Sequence, residues 1–314
     1  MMNLDPERLA ALAAVADEGS FDAAARRLHV TPSAISQRVK ALEQQAGQVL
    51  VLRSRPCRPT PAGRALVRLA GQIATLQAEA EHEVLGSGEV LRVAVAVNAD
   101  SLSTWFPAAL VGLPDTVVLE VHREDQDHSA QLLRDGVVMA AVTADARPVQ
   151  GCRVRPLGAM RYLAVAAPAF HERWFAGGLA AGLSAAPTLT FNRKDALQLR
   201  FVRQVDGGRA VTSAPVHYVP SSSAFLELVQ AGLGWGMVPE SAAAAPLASG
   251  ALVQLDAAGL DVPLHWQHWR IDAPRLVELT ARVERAARAW LRQPTPTAHR
   301  GAPRFDPPAG AQVP

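Results

Sequence analysis

Four polar side chains between residues 33 and 44 have the types and the spacing needed to read DNA bases. Ser33, Gln37, Lys40 and Gln44 recur every three or four residues, so in a helix they form one stripe, with Ser36 beside it. Glutamine can hydrogen-bond to adenine, lysine to guanine and serine to either. The pattern predicts contacts in a major groove, although any surface helix also has a polar side.

This stripe needs a helix whose opposite side is buried, and the surrounding sequence predicts one. Ile35, Val39 and Leu42 fall opposite the stripe at about 100° per residue. Thr31 is a suitable N-cap, and the proline that follows it suits the first helical position because it has no N–H to leave unpaired. We expect the helix to run to about Gly47, with its first two turns in the groove.

A second helix is expected just before it. Residues 21–28, FDAAARRL, place apolar side chains at the i, i+3, i+4 and i+7 positions of one buried face, and Ser20 can cap this helix. Gly19 can end the helix that precedes it. The three helices together predict a helix-turn-helix.

Basic residues concentrate around these helices. From Ser20 to Arg68 there are nine lysines and arginines against two acids, a net charge of +7, whereas the whole chain carries only +2. A local basic field is typical of phosphate contact. Residues 49–58, VLVLRSRPCR, predict a β-wing with a basic loop. The predicted DNA contacts are Thr31, Ser33, Ser36, Gln37, Arg38, Lys40, Arg53, Arg55 and Arg58.

Length and composition limit the class of protein. The 314 residues, 49% hydrophobic and 19% charged, suit a globular protein of two or three domains. The longest apolar runs are too short for a membrane span, and the N-terminus lacks a basic-then-apolar signal, so we expect a cytoplasmic protein without membrane contact. Cys57 and Cys152 do not suggest a disulfide framework. Cys57 is either an inert thiol or a redox switch.

A long helix is expected from Pro61 to Leu85. Its apolar residues alternate spacings of three and four, which is typical of a coiled-coil seam: Leu66, Leu69, Ile73, Leu76 and Ala80. The simplest partner is a second copy of the chain, and the alternative is that the stripe packs on the effector domain of its own chain. Residues 86–88 then form a flexible joint.

Strands and helices alternate after the joint, which predicts an α/β domain of two lobes. The final helix is expected from Pro274 to Leu291, and the Pro/Gly-rich residues 293–314 as a disordered tail. The predicted division is 1–60, 61–88, 89–292 and 293–314. The expected strands are Leu91–Val97, Val117–Val121, Met139–Val142, Arg161–Ala167, Thr188–Phe191, Val216–Val219, Gly236–Val238, Leu252–Leu255 and Leu264–Trp269.

The chain resembles the LysR-type transcriptional regulators to about Leu291, and the segment SFDAAARRLHVTPSAISQRVKALEQQAG carries the most specific likeness. The segments VLRSRPCRPTPAG, AVNADSLSTWFPAAL, HREDQD, SSSAF and HWQHWR resemble the ArgP/LysG branch of that family. The resemblance implies an N-terminal all-α winged helix-turn-helix with a linker helix, then a two-lobed α/β effector domain like type II periplasmic binding proteins. Its crossovers would lie near Arg161–Val165 and Leu264–Trp269.

The same resemblance implies a function. Lysine or arginine would bind between the lobes as an effector, with no cofactor, and the protein would activate a basic-amino-acid exporter gene. Its partners would be double-stranded DNA, a second copy of itself in a homodimer or homotetramer, and RNA polymerase at activated promoters. A relative acts as an inhibitor of replication initiation, and that role remains an alternative.

Polar residues at strand ends are the candidates for holding the effector, because ligands of open α/β sheets bind there and at helix N-termini. Carboxylates suit a cationic group, whereas hydroxyls and backbone N–H groups suit an α-carboxylate. Each residue also has a simpler interpretation as a helix cap or a solvated acid. The candidates are Asp100, Ser101, Thr104, Glu124, Asp125, Ser222 and Ser223.

Enzyme motifs are absent from the sequence. There is no G-x-S-x-G elbow, no Walker loop and no His-Glu metalloprotease motif, so no catalytic or metal-binding residue is expected. His265 and His268 fall on opposite faces of a strand and do not form a metal pair. An exported solute-binding protein would explain two lobes but has no use for residues 20–68.

Overall fold

The computed structural model describes residues 4–86, 90–123, 126–205, 207 and 214–293. Three sequence predictions fall outside the described residues: positions 87 and 88 of the expected joint at 86–88, the candidates Glu124 and Asp125, and the tail after residue 293. No helix of the described part is long and apolar enough to cross a membrane.

The helix-turn-helix is present with the caps that the sequence predicts. Ser20 Oγ accepts from Ala23 N–H at 3.0 Å, and Thr31 Oγ1 accepts from Ala34 N–H at 3.2 Å. Gly19 and Gly47 end their helices in the left-handed conformation, at φ of 66° and 69°. The helices are α1 (Pro6–Glu18), α2 (Phe21–Arg27) and α3 (Pro32–Ala46).

These helices close over one apolar core. Each of its aliphatic side chains contributes about 1.5–3 kcal/mol when buried. The fully buried members include Leu9, Leu12, Val15, Ile35, Val39, Leu42 and Leu50.

A short wing follows α3, with strands β1 (Val51–Leu52) and β2 (Arg58–Pro59) paired antiparallel. Cys57 N–H donates to the carbonyl of Gly19 at 2.7 Å, which ties the wing to the turn between α1 and α2. Glu43 Oε1 accepts from Leu50 N–H at 2.9 Å. One of the two acids in the basic segment therefore serves to hold the wing.

The long helix α4 (Pro61–Leu85) uses different faces for different neighbours. Leu66, Leu69 and Ile73 of the predicted seam pack partly against the helix-turn-helix core. The seam then becomes solvent-exposed, with Leu76 43% exposed. The stripe is thus shared between the helix-turn-helix core and solvent, and it is not the face that packs on the effector domain.

A separate face of α4 contacts the effector domain. Gly71 lies against Trp269, so closely that a Cβ at this position would meet the ring at 2.6 Å. Glu79 forms an ion pair at 3.0 Å with Arg275, and both side chains are buried. Arg275 also donates to the carbonyls of Ala78 and Thr116. The linker helix is therefore fixed to the domain that follows it.

The effector domain alternates strands and helices as predicted. Its strands are β3 (Leu91–Val97), β4 (Val117–Arg123), β5 (Ala140–Thr143), β6 (Cys152–Ala166), β7 (Thr188–Thr190), β8 (Val216–Tyr218), β9 (Gly236–Pro239), β10 (Val253–Gln254) and β11 (Leu260–Trp269). Its helices are α5 (Ala99–Ser103), α6 (Phe106–Leu110), α7 (Gln126–Asp135), α8 (Pro168–Phe175), α9 (Leu179–Ala185), α10 (Leu197–Val205), α11 (Ser222–Gln230), α12 (Glu240–Ala248) and α13 (Pro274–Trp290).

Two long strands join the lobes. The main sheet has the order β10-β6-β11-β5-β3-β4, with β9 also paired to β6. In the first lobe β3 lies parallel to β4 and β5, and in the second lobe β7 and β8 form a small parallel sheet. Strands β6 and β11 pair with each other and with strands of both lobes, so the predicted crossovers lie in them.

The first half of β6 differs from the prediction, which began this strand at Arg161. Residues 152–160 read CRVRPLGAM, and their arginines, proline and glycine hide the apolar alternation. Pairing with β11 supplies the hydrogen bonds that extend the strand to Cys152. A long-range partner therefore decides a structure that local propensity does not favour.

Candidate functional site

The polar stripe of α3 is exposed as predicted. Ser33, Gln37, Lys40 and Gln44 face solvent, while the opposite side of the helix is fully buried in the core. The N-cap and the left-handed Gly47 fix where this helix begins and ends. The stripe is thus held at a fixed angle on a rigid support, with its donors and acceptors free to meet base edges.

Two predicted contacts also stabilise the fold. The Arg38 guanidinium forms an ion pair with Glu7 at 2.6 Å, which fastens α3 to α1. The Thr31 hydroxyl oxygen accepts the capping hydrogen bond of α3. Ser36 is half-buried beside the stripe. These three residues lie at the edge of the exposed surface, and their part in DNA contact stays a prediction.

The wing presents three exposed arginines. The Arg53 guanidinium lies over the Phe21 ring, 4.9 Å from its centroid, a cation–π contact that links the wing to α2. Arg55 lies in the turn between β1 and β2, and Arg58 lies in β2. The wing therefore extends the basic surface beyond α3, as the sequence predicts.

A second candidate site is a cavity between the two lobes, which encloses about 180 Å³. Its polar lining comes from α5 in the first lobe and from the segments before α10 and at the start of α11 in the second. Its apolar lining comes mainly from α11, β9 and α12. The lining residues are Asp100, Ser103, Thr104, Phe191, Asp195, Leu197, Ser222, Ser223, Phe225, Leu226, Met237, Val238, Pro239 and Ala242.

Asp100 is the central polar residue of this cavity. Its carboxylate accepts hydrogen bonds from Tyr162 Oη and from Ser222 Oγ, both at 2.8 Å. The second of these bonds joins the lobes directly. Burial raises the pKa of Asp100 above its ordinary value; the two hydrogen bonds oppose this rise, and the nearby Asp195 adds to it. Burial also raises the pKa of Tyr162, which therefore remains a donor.

The other candidates of α5 differ from one another. Thr104 lines the cavity, and its hydroxyl donates to the carbonyl of Asp100 at 2.6 Å. Ser101 does not line the cavity, and its side chain is fully buried with no hydrogen-bond partner among the described residues. The five-residue helix α5 turns position 101 toward the core, and a role for Ser101 in holding the effector stays a prediction.

Sequence reasoning missed two residues of this site. Asp195 lies just before α10; its carboxylate accepts from the N–H groups of Phe191 and Leu197 at 3.0 and 2.9 Å. Tyr162 lies in the middle of β6. The strand-end rule that selected Asp100 also points to the loop after β7, so Asp195 was within its reach. Nothing in the local sequence marks Tyr162.

The cavity can hold a cationic molecule with an apolar stem. Two carboxylates line it, and none of the described residues in its lining is basic. Hydroxyl groups stand beside the carboxylates, and aromatic and aliphatic side chains form the remaining wall. A buried carboxylate without a compensating cation is costly, so a positively charged ligand is favoured here.

The DNA-reading head consists of helices α1 to α3 and the wing. Such a head joined to a two-lobed ligand cleft defines a class of protein, the ligand-responsive transcriptional regulators. Residues 6–64 match the model described as "Bacterial regulatory helix-turn-helix protein, lysR family", and residues 86–293 match the "LysR substrate binding domain". The chain belongs to the LysR family of DNA-binding transcriptional regulators.

Curated relatives narrow the class further. The chain is 54% identical to the HTH-type transcriptional regulator LysG of Mycobacterium tuberculosis over 292 residues, 92% of this chain and 95% of that one. It is 42% identical to the lysine export transcriptional regulatory protein LysG of Corynebacterium glutamicum over 92% of this chain and all of that one. These names describe regulators and not enzymes, and the comparisons do not support the replication-inhibitor alternative.

Solved structures agree with this placement. ArgP from Mycobacterium tuberculosis matches with a TM-score of 0.87 at 53% identity, covering 93% of this chain and all of that one. Full-length LysG from Corynebacterium glutamicum with bound effector Arg matches with a TM-score of 0.78 at 40% identity, covering 92% and 100%. The fold and the ArgP/LysG likeness inferred from the sequence are confirmed.

Proposed function

We propose that this protein controls a basic-amino-acid exporter gene in response to arginine or lysine bound between the lobes of its effector domain. The observation that carries the proposal is the interlobe cavity, whose described lining residues include two carboxylates and no basic side chain. Two findings on LysG of Corynebacterium glutamicum support the same ligand class: its solved structure has bound effector Arg, and its name describes a lysine export transcriptional regulatory protein.

The ligand's polar groups have complementary partners in this cavity. Asp100 is the acceptor for an ammonium group. The first N–H groups of α11, at Ser222 and Ser223, suit an α-carboxylate, since helix N-termini favour anions. The Thr104 hydroxyl already donates to the Asp100 carbonyl, so it would have to turn to join them. Glu124 and Asp125 stay predicted cation acceptors outside the described residues. The apolar wall accommodates the aliphatic stem of lysine or arginine.

The signal travels from the cleft to the DNA through the linker helix. Effector binding stabilises the closed lobes, and α4 is fixed to the first lobe by the buried Glu79–Arg275 pair. A change at the cleft therefore shifts how the paired DNA-reading heads sit on the operator. The effector can shift this balance only by its different affinities for the two states, commonly about 1–3 kcal/mol.

The remaining assignments extend this proposal. The nine predicted head and wing residues contact DNA, with Ser33, Gln37 and Lys40 choosing the sequence. The exposed apolar end of α4, where Val84 is 80% and Leu85 68% exposed, pairs with a second copy in a homodimer or homotetramer. The protein works in the cytoplasm, contacts RNA polymerase at activated promoters, and is divided at residues 60/61, 88/89 and 292/293.

A footprint tests this function directly. The full chain is bound to the DNA upstream of its own gene and to a neighbouring exporter promoter, with and without lysine or arginine. We expect sequence-specific protection whose extent changes when either amino acid is added. Protection that neither amino acid alters would overturn the proposed effector and leave the DNA-binding assignment intact.

A further inference from the structure

The two carboxylates of the cleft come from opposite lobes. Asp100 belongs to α5 of the first lobe, and Asp195 precedes α10 of the second, yet both line the same cavity. The charge of Asp195 is close enough to contribute to the raised pKa of Asp100. The cleft therefore brings two carboxylates together, and no basic residue in the described part of its lining offsets them.

Asp195 is held in place by its backbone surroundings. Its two oxygens accept from the N–H groups of Phe191 and Leu197, so the carboxylate cannot turn away from the cavity without leaving those donors unpaired. It forms no ion pair within the described part of the chain. The carboxylate is thus oriented and available to a ligand.

The surroundings of the two carboxylates differ. Asp100 lies 2.8 Å from Ser222 Oγ at the start of the nine-residue helix α11, where an α-carboxylate is favoured. An α-ammonium next to that carboxylate falls beside Asp100. Asp195 instead stands between two apolar lining residues, Phe191 and Leu197, which suit the stem of a longer side chain.

We propose that Asp195 sets effector specificity by receiving the side-chain cation, while Asp100 receives the α-ammonium. This assignment rests on the proposed function and names the ligand class more narrowly, as an α-amino acid with a second positive charge. A neutral isostere leaves the Asp195 carboxylate desolvated and without a cationic partner when the lobes close, so binding of the isostere is penalised.

Calorimetric titration of the full chain can separate the two roles. The ligands are L-arginine, its neutral isostere L-citrulline, and Nα-acetyl-L-arginine, which lacks the α-ammonium. The proteins are the wild type, Asp195→Asn and Asp100→Asn. The matched control is Asp256→Asn, because Asp256 of the second lobe likewise accepts a backbone N–H, from Ala258, but lies away from the cavity.

We expect the wild type to prefer arginine over citrulline by about 10- to 100-fold, the value of one charge-assisted contact. This preference should collapse in Asp195→Asn and persist in Asp100→Asn and Asp256→Asn. The preference for arginine over its Nα-acetyl form should collapse only in Asp100→Asn. Asp195→Ser, which keeps a hydroxyl acceptor for the helix start but removes the charge, should behave like Asp195→Asn.

Two results would overturn the assignment. One is an arginine-to-citrulline preference that survives in both Asp195 variants. The other is an equal loss of affinity for all three ligands in both variants, which would show that Asp195 has only a structural role. A wild type that binds neither arginine nor lysine is a different failure, because it defeats the proposed function before any variant is compared.

Discussion

The two functional regions of this molecule recognise charge in opposite ways. The head carries exposed basic side chains on α3 and the wing, spread over a surface that faces an extended polyanion. The cleft has two oriented carboxylates in a cavity of about 180 Å³, which we propose receives one small cationic molecule. Many screened contacts suit a long ligand, whereas a few desolvated contacts suit a small one. The linker helix α4 connects the head to the domain that contains the cleft.

Removing the buried ion pair that fastens α4 to the effector domain should have the largest effect on stability. Arg275→Ala leaves the buried Glu79 carboxylate without its partner, so we expect a loss of about 3–5 kcal/mol in the free energy of unfolding. The exposed Arg288–Glu284 pair of α13 is the control, and Arg288→Ala should cost about 0–1 kcal/mol. Chemical denaturation measures both. Equal losses would mean that α4 is not anchored by this pair.

The base-reading stripe comes next in expected size. Gln37→Ala and Lys40→Ala should each lose about 1–3 kcal/mol of preference for the operator over unrelated DNA. Arg53→Ala should instead weaken binding to all sequences alike, since the contact that we propose for Arg53 is to phosphate. It should also reduce by about 1 the slope of log affinity against log salt concentration. Fluorescence anisotropy at several salt concentrations distinguishes the two patterns. A uniform loss in the stripe variants would remove the distinction between reading and positioning.

The smallest expected effect is the pH dependence of effector affinity that Asp100 causes. Because burial raises the pKa of Asp100, a cationic effector should lose affinity on acidification at a higher pH than an ordinary aspartate would allow. Asp100→Asn should bind more weakly but lose this pH dependence. Calorimetry between about pH 5 and 8 tests it. An unchanged arginine affinity in the variant would show that Asp100 does not hold a cation.

The sign of the stability effect is opposite to that of binding. Without effector, the folded chain holds the Asp100 proton more tightly than the unfolded chain does. The contribution of this group to the free energy of unfolding therefore falls as the pH rises through its raised pKa. Asp100→Asn removes this pH-dependent loss of stability. Without effector, the variant should therefore be as stable as the wild type at neutral pH, or slightly more stable.

The head was predictable from sequence because its determinants are local. Ser20, Thr31 and Gly47 are caps within a few residues of the helices that they bound, and the buried face of α3 repeats at helical spacing. Each signal can be interpreted without knowing the tertiary fold.

The cleft was predictable only in part because it is assembled from distant segments. Asp100, Thr104, Ser222 and Ser223 were found by a rule about strand ends and helix starts, and all four line the cavity. Tyr162 meets Asp100 only because a strand between the lobes passes beneath α5, a contact across 62 residues. The burial of Ser101 could not be predicted, because one position on a short helix cannot be assigned to a face without knowing how the helix packs.

Thermodynamic linkage between effector binding and operator binding is the decisive test of whether the cleft controls the DNA-reading head. Arginine affinity is measured by calorimetry with and without a saturating operator fragment, and operator affinity with and without arginine. We expect both affinities to change by the same factor, about 5- to 150-fold, and we expect this factor to be smaller in Asp100→Asn. An arginine affinity that is identical with and without operator would contradict the claim that the cleft controls the DNA-reading head.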